Sequence, residues 1–296
     1  MNYQHAFHAG SFADVHKHVV LIRILQHLRR KPAPFRVVDS HAGAGRYDLS
    51  GSEATRSGEW HDGIARVFAA SRQGLLESAV VSLLKPYLDA VAALNPDGGL
   101  LHYPGSPLIA QAQLRDRDRL MACELEADAA RRLKAALRGD PRATVLTVDG
   151  WMAVKANVPP KERRGLVLVD PPYEEGSDFM RLTAALGEAH RKWPTGIYML
   201  WYPIKDRDAP DALARRLRRS AIAKILRCEI TLGPPQTDAG LVGSGLILVN
   251  PPYPLSAELR SLLPALGRLF APGAASRLDW LSQEAPPTAA RTGALR

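Results

Sequence analysis

Short apolar runs alternate with amphipathic stretches along most of this chain, and no other feature limits its fold as strongly. The runs are FRVVDS (35–40), RLMACE (119–124), ATVLTV (143–148), LVLVD (166–170), GIYMLWY (196–202), ILRCEITL (225–232) and GLILVN (245–250). Between most of them lie stretches with helical spacing, such as EADAARRLKAALR (126–138), DFMRLTAALGEAHRKW (178–193) and PDALARRLRRSA (210–221). Runs this short and continuous read as strands buried on both faces, with the intervening helices covering those faces. The expectation is an α/β fold with a mostly parallel, seven-stranded sheet.

Two departures from the alternation carry information. The last two runs are joined by GPPQTDAGLVGS (233–244), which has no helical pattern and predicts a closing antiparallel hairpin at the sheet edge. Residues 48–99 hold helix-like stretches, GEWHDGIARVFAA and LLESAVVSLLKPYLDAVAAL, that end at Asn-Pro-Asp-Gly-Gly. This segment is expected to be a small helical insert that splits the main domain into 1–47 and 100–284. Residues 285–296 carry one Leu and no other bulky apolar residue, and are expected to be a disordered tail.

Composition narrows the partners. Apolar residues make up 46% of the 296, as in an ordinary globular protein. Lys and Arg outnumber Asp and Glu by 39 to 30, a net charge of +9 that suits a polyanion such as nucleic acid. Cys123 and Cys228 each lie inside an apolar run with no CxxC spacing, which supports neither a disulfide framework nor a zinc site. MNYQHAFHAG is not a signal sequence, and no apolar run reaches about 18 residues, so a cytoplasmic protein is expected.

The first strong strand runs into VVDSHAGAGRY (37–47). A glycine turn at a strand end lets a cofactor approach the backbone where a side chain would block it. The order D-x-x-x-G-x-G, from Asp39 through Gly43 and Gly45, suits S-adenosylmethionine better than a dinucleotide, whose full fingerprint is missing. Glu124 ends a strand where a carboxylate can accept from both ribose hydroxyls. Asp149-Gly150 ends the next, where a carboxylate could accept from an adenine amine. Ser106-Pro107 reads as an N-cap serine and N1 proline. Each of these alone is more often a turn or a cap. Together they line the carboxyl ends of successive strands, where open α/β sheets bind ligands.

LVLVDPPY (166–173) and LILVNPPY (246–253) end alike. An exocyclic amine is a poor nucleophile until two acceptors pull its nitrogen toward tetrahedral geometry. An acid or amide followed by a proline carbonyl supplies those acceptors, because proline holds the chain extended. The aromatic that follows offers a stacking platform for a base, worth about 1–3 kcal/mol. Asp170, Pro171 and Tyr173 are therefore the catalytic candidates. Asn250–Tyr253 has acceptable chemistry but follows the last strand, away from the glycine loop, and is read as structural.

HAGSFADVHKH (8–18), DSHAGAGRY (39–47), YPGSPLIA (103–110), TVDGW (147–151), RRGLVLVDPPYE (163–174) and GSGLILVNPP (243–252) resemble the RlmJ family, bacterial methyltransferases of 23S ribosomal RNA. The resemblance runs from Tyr3 to about Trp280. It implies a Rossmann-like class I S-adenosylmethionine methyltransferase, acting on the exocyclic nitrogen of one adenosine. It implies Asp170 as acceptor from the target amine, also facing the cofactor, and cofactor contacts at His18, His41, Ser106, Glu124, Asp149 and Gly150. Gly43 of the glycine loop joins that set. Tyr3, His5 and Lys17 are implied to serve substrate or reaction. The implied partner is 23S ribosomal RNA rather than the assembled ribosome, with a monomeric enzyme expected.

His5, His8, His16 and His18 crowd the N-terminus, but without nearby cysteines a metal site is not expected. PPKERRG (159–165) lies at the opposite sheet end from Asp170 and is not assigned to substrate. The alternatives kept open are a DNA adenine methyltransferase, a protein-amide methyltransferase and a non-catalytic RNA-binding protein with a relic cofactor pocket.

Overall fold

The computed structural model describes residues 4–174, 176–233 and 240–283. A 3-10 turn (His5–Phe7) leads into α1 (Phe12–Arg29), β1 (Arg36–Asp39) and β2 (Arg46–Asp48). Four helices follow, α2 (Ser52–Ser57), α3 (Glu59–Asp62), α4 (Ile64–Arg72) and α5 (Ser78–Ala93), then β3 (His102–Pro104) and α6 (Ser106–Gln111). Next come β4 (Arg119–Cys123), α7 (Ala127–Ala136), β5 (Ala143–Leu146), α8 (Gly150–Asn157), β6 (Gly165–Val169) and α9 (Asp178–Lys192). The chain continues through β7 (Ile197–Ile204), α10 (Asp208–Arg218), β8 (Ile225–Thr231), β9 (Gly243–Val249), α11 (Leu255–Phe270) and β10 (Ala275–Ser282).

The main sheet has eight strands in the order β10-β8-β9-β7-β6-β1-β4-β5, where seven were expected. β5, β4, β1, β6 and β7 are parallel, while β9 runs antiparallel to both β7 and β8. The hairpin β8–β9 is therefore real, but it does not form the edge. β10 does, pairing antiparallel with β8. Its sequence ASRLDWLS gives no apolar run because an edge strand leaves its residues largely open to solvent, and here only Leu281 is buried. Arg227, wholly buried on β8, holds it by donating from Nε and Nη2 to Asp279 at 2.9 Å each.

α1 lies between the sheet and helices α5, α6 and α11. Ser11 caps its N-terminus by accepting from the Asp14 amide at 3.3 Å. Neighbours on all sides bury nearly the whole helix, including Asp14, His16, Lys17 and His18. Polar groups in such a helix must bond to one another or to the sheet. The helices between β2 and β3 pack on α1 and α11, and Ile64, Val67, Leu84, Tyr87 and Val91 join the same core as β1. β2 and β3 close that segment as an antiparallel pair, Tyr47 opposite Tyr103. A second core on the other sheet face joins α8, α9 and α10.

Candidate active site

The strand order reverses between β1 and β6, and a cavity of about 670 Å³ opens at the carboxyl ends of these strands. Such reversal points are where open α/β sheets hold ligands. Its walls are the loop after β1, the ends of β4 and β6, Asp149 and Gly150 ahead of α8, and side chains from α1 and the segment before it.

The loop after β1 turns on Gly43 and Gly45, with φ of +63° and +78°. It leads into β2 rather than a helix. A Cβ at Gly43 would lie 2.2 Å from the Tyr47 hydroxyl, so only glycine leaves the backbone open here. The Gly43 amide donates to Glu124 at 2.8 Å, and the other Glu124 oxygen accepts from the Glu126 amide at 2.8 Å. This fixes the carboxylate at the end of β4 with acceptor capacity to spare. Asp149 caps α8, accepting from the Met152 amide at 3.0 Å. A Cβ at Gly150 would meet the Ser40 carbonyl at 2.1 Å, so α8 starts hard against the loop after β1. The His41 ring meets Trp151 edge-on at 5.2 Å, and the Arg181 guanidinium lies 5.1 Å over the same indole. Ser106 lines the cavity but is not the N-cap residue of α6, which is Gly105.

Asp39 ends β1 fully buried, and neither carboxyl oxygen meets the geometry of a hydrogen bond. Burial raises its pKa to about 7, with the neighbouring Ser106 hydroxyl offsetting part of the cost.

Asp170, the residue after β6, bonds through Oδ2 to Lys17 Nζ. Lys17 also donates to Asp14 Oδ1 at 2.8 Å, while Asp14 Oδ2 accepts from the Gly10 amide and bonds to His5 Nε2, both at 3.1 Å. Burial lowers the pKa of Lys17, but Asp14 and Asp170 outweigh it and hold the pKa well above the ordinary lysine value. Lys17, His5 and Asp170 thus share one network although they come from three parts of the chain. Asp14 is its hub, and sequence reasoning missed it. The signal was present: Asp14 precedes Lys17 by three residues and His18 by four, one face of a helix.

The remaining histidines have separate partners. His18 bonds through Nδ1 to the Tyr103 hydroxyl at 2.8 Å, His16 to the Ser244 hydroxyl at 3.0 Å, and His8 to Glu59 at 3.0 Å. Tyr3 and the tail 285–296 lie outside the described residues.

One expectation is corrected inside the catalytic motif. Tyr173 was expected to offer its ring to a base, but Pro172 and Glu174 line the cavity and Tyr173 does not. Its backbone is left-handed, with φ +53°, which turns the ring onto Phe179 and Trp201 at centroid distances of 5.0 and 5.7 Å. The hydroxyl donates to the Trp201 carbonyl at 2.7 Å. The ring thus anchors the turn after Asp170 to β7. Pro171 is buried beneath that turn.

The second Pro-Pro-Tyr sits elsewhere. β9 runs against β7, so Val249 pairs with Tyr198 at the start of β7, whereas Val169 of β6 pairs with Leu200. Asn250 is therefore on the opposite sheet edge from Asp170. Its amide donates to the Pro194 and Gly196 carbonyls at 2.8 Å each.

Residues 32–282 match the family model described as "Ribosomal RNA large subunit methyltransferase D, RlmJ". The chain belongs to the RlmJ family. It is 37% identical to ribosomal RNA large subunit methyltransferase J of Escherichia coli over 286 residues, 96% of this chain and 100% of that protein. The corresponding protein of Haemophilus influenzae is also 37% identical, over 96% of this chain and 100% of its own length. A crystal structure of protein LPL1258 from Legionella pneumophila superposes with a TM-score of 0.84 at 33% identity, covering 92% of this chain and 98% of that one.

A methyltransferase of the RlmJ family implies a methyl donor of the S-adenosylmethionine type, a cation with a ribose and an adenine. The cavity suits such a group. Eight carboxylates line it against the fixed cations Lys17, Arg132 and Arg181. The open backbone at Gly43 and the Glu124 carboxylate, which lines the cavity, add close approach and acceptors for hydroxyl groups. Among the described residues, no helix is long and apolar enough to cross a membrane.

Proposed function

We propose that this chain transfers a methyl group from S-adenosylmethionine to the exocyclic N6 amine of an adenosine in 23S ribosomal RNA. The observation that carries the reading is the placement of Asp170 in the same cavity as Gly43, Glu124 and Asp149. Membership of the RlmJ family supports the substrate class.

Gly43, Glu124, Asp149, Gly150, His18, His41 and Ser106 would hold the cofactor, whose sulfonium supplies an electrophilic methyl group. Lys17 occupies one oxygen of Asp170, which leaves the other for an amine proton. The Pro171 carbonyl would accept a hydrogen bond from the amine's other N–H, drawing the nitrogen lone pair out of the ring system, and the proton that the nitrogen gives up on methylation would pass to solvent. The ionised Lys17 fixes the orientation of the carboxylate. His5 sits over the same cavity, tied to Asp14, where it can meet the substrate. The target base must leave its stack, which costs a few kcal/mol and is cheapest in unpaired RNA. Naked rRNA should therefore outperform regular duplex.

The test is methyl incorporation from labelled cofactor into unmodified 23S rRNA, with duplex DNA alongside and a nucleoside digest of the product. N6-methyladenosine from rRNA alone supports the reading. Labelled DNA, a labelled protein amide, or no incorporation with no cofactor binding would each overturn it. Asp170→Ala should lose at least about 100-fold in turnover while still binding cofactor. Near-normal turnover by that variant would remove Asp170 from the chemistry.

A further inference from the structure

Building on the rRNA-methyltransferase reading, we infer that the sheet edge opposite the cavity, together with Tyr253, is a second RNA-contact surface. The cavity lining offers a polyanion little attraction, because its eight carboxylates outnumber the cations Lys17, Arg132 and Arg181. The positive charge lies elsewhere. Strand register places the segments before β1, β4, β5, β6, β7 and β8 on one edge, since Arg36 pairs with Arg119 and Gly165, Leu120 with Ala143, Leu166 with Ile197, and Ile225 and Tyr198 both with Val249.

Those segments expose Lys31, Arg117, Lys161, Arg163, Arg191 and Arg219. None of the six forms an ion pair among the described residues. The acids nearby are mostly committed: Asp118 to Arg115, Asp140 to Arg142 and Glu162 to Arg36, with Asp116 the exposed exception. The segments also touch. Arg115 donates to the Lys31 and Ala33 carbonyls at 2.8 and 3.1 Å, and Arg164 to Ala33 at 2.8 Å. Favourable interaction with helix C-termini accounts for Arg191 and Arg219. It does not account for Arg117, Lys161 and Arg163, which lie beyond the last turn of any helix.

Tyr253 is the second, independent observation. It is 97% exposed, the most exposed of the large apolar and aromatic side chains described. Its Asn250-Pro-Pro stem is fixed to this same edge by the bonds to Pro194 and Gly196 and by the Asn250 amide on the Lys224 carbonyl at 3.0 Å. A solvent-facing aromatic on a hydrogen-bonded stem, on the same sheet edge as cations that form no ion pair among the described residues, is the pattern that stacks a nucleic-acid base while phosphates are neutralised nearby. From Arg164 to Asp170 is six residues of extended chain, about 20 Å, so the surface can engage only RNA reaching well beyond the target nucleotide.

The experiment compares wild type, Tyr253→Ala and the triple variant Lys161→Gln/Arg163→Gln/Arg191→Gln on two substrates. One is unmodified full-length 23S rRNA; the other is a short hairpin around the nucleotide that wild type methylates. On full-length RNA, Tyr253→Ala should weaken binding about five-fold or more. The triple variant should lower the slope of log affinity against log salt by about 2. Both should methylate the hairpin as wild type does. Unchanged affinity and salt slope on full-length RNA would overturn the surface, as would equal losses on the hairpin. A wild type that methylates neither RNA would instead overturn the functional reading beneath it.

Discussion

Lowering the pH from about 7.5 to about 5 is expected to cost the fold about 2 kcal/mol through His16 alone. His16 is fully buried on α1, its Nδ1 bonded to Ser244 and its Nε2 unpartnered. Burial lowers its pKa from the ordinary 6.5 to about 3. The unfolded chain therefore binds the proton first as pH falls. The contribution is fully present above about pH 6.5 and is lost as pH drops from there toward about 3. At about pH 5 the unfolded form lies roughly 1.5 units below its pKa, and each unit is worth about 1.4 kcal/mol. Any folded value below about 4 gives nearly the same answer, so the magnitude does not depend on how far burial carries the shift. Asp39 works with the opposite sign: its raised pKa of about 7 lets stability rise as pH falls through that range. His16→Gln isolates the histidine, because glutamine keeps a polar partner for Ser244 and does not titrate. Urea denaturation of both chains at the two pH values gives the difference. The wild type should lose about 2 kcal/mol more than the variant. An equal loss in both would refute a buried neutral His16.

Lys17→Met strands Asp14 and Asp170 without their shared cation; it should destabilise the fold by about 3–5 kcal/mol and abolish turnover, and a thermal melt matching wild type would contradict the network. Asn250→Ala removes two amide hydrogen bonds at a residue with φ +52°, so it should cost stability of about 1–3 kcal/mol while leaving the catalytic rate on a short hairpin unchanged. A folded Asn250→Ala chain with lost chemistry would reverse the roles given to the two Pro-Pro-Tyr ends. Gly43→Ala should weaken cofactor binding about tenfold or more, measured by calorimetry, because φ +63° and the Tyr47 hydroxyl leave no space for a methyl group.

The strands that build the cavity were legible because parallel strands buried on both faces read as apolar runs, and a polar residue at their carboxyl ends stands out. Asp39, Glu124, Asp149 and Asp170 all sit where that rule put them, and the structure brings the last three into one cavity with Gly43. β10 was not legible, since an edge strand with one buried residue has no such pattern. Nor was the Lys17–Asp170 pair readable from spacing. Its partners are 153 residues apart, and Lys17 entered only through the family resemblance. Asp14 escaped because buried polar residues on a helix enclosed on all sides look, in sequence, like an exposed polar face.

The difference between Asp170 and Asn250 is larger than one atom suggests. At 170 the side chain must accept from an ammonium group, which a carboxylate does with its charge intact. At 250 it must donate to two backbone carbonyls, which a carboxylate cannot do. The two motifs also bend at different residues. Left-handed backbone falls on Tyr173 in the first and on Asn250 in the second, and asparagine tolerates that region better than most residues. The first bend turns its tyrosine inward to brace the turn after Asp170; the second turns the stem so that its tyrosine stands in solvent. Strand direction then decides what each can meet. β6 delivers its motif to the acid-lined cavity and β9 delivers its own to the basic edge, so the same three letters, Pro-Pro-Tyr, face opposite electrostatic surroundings.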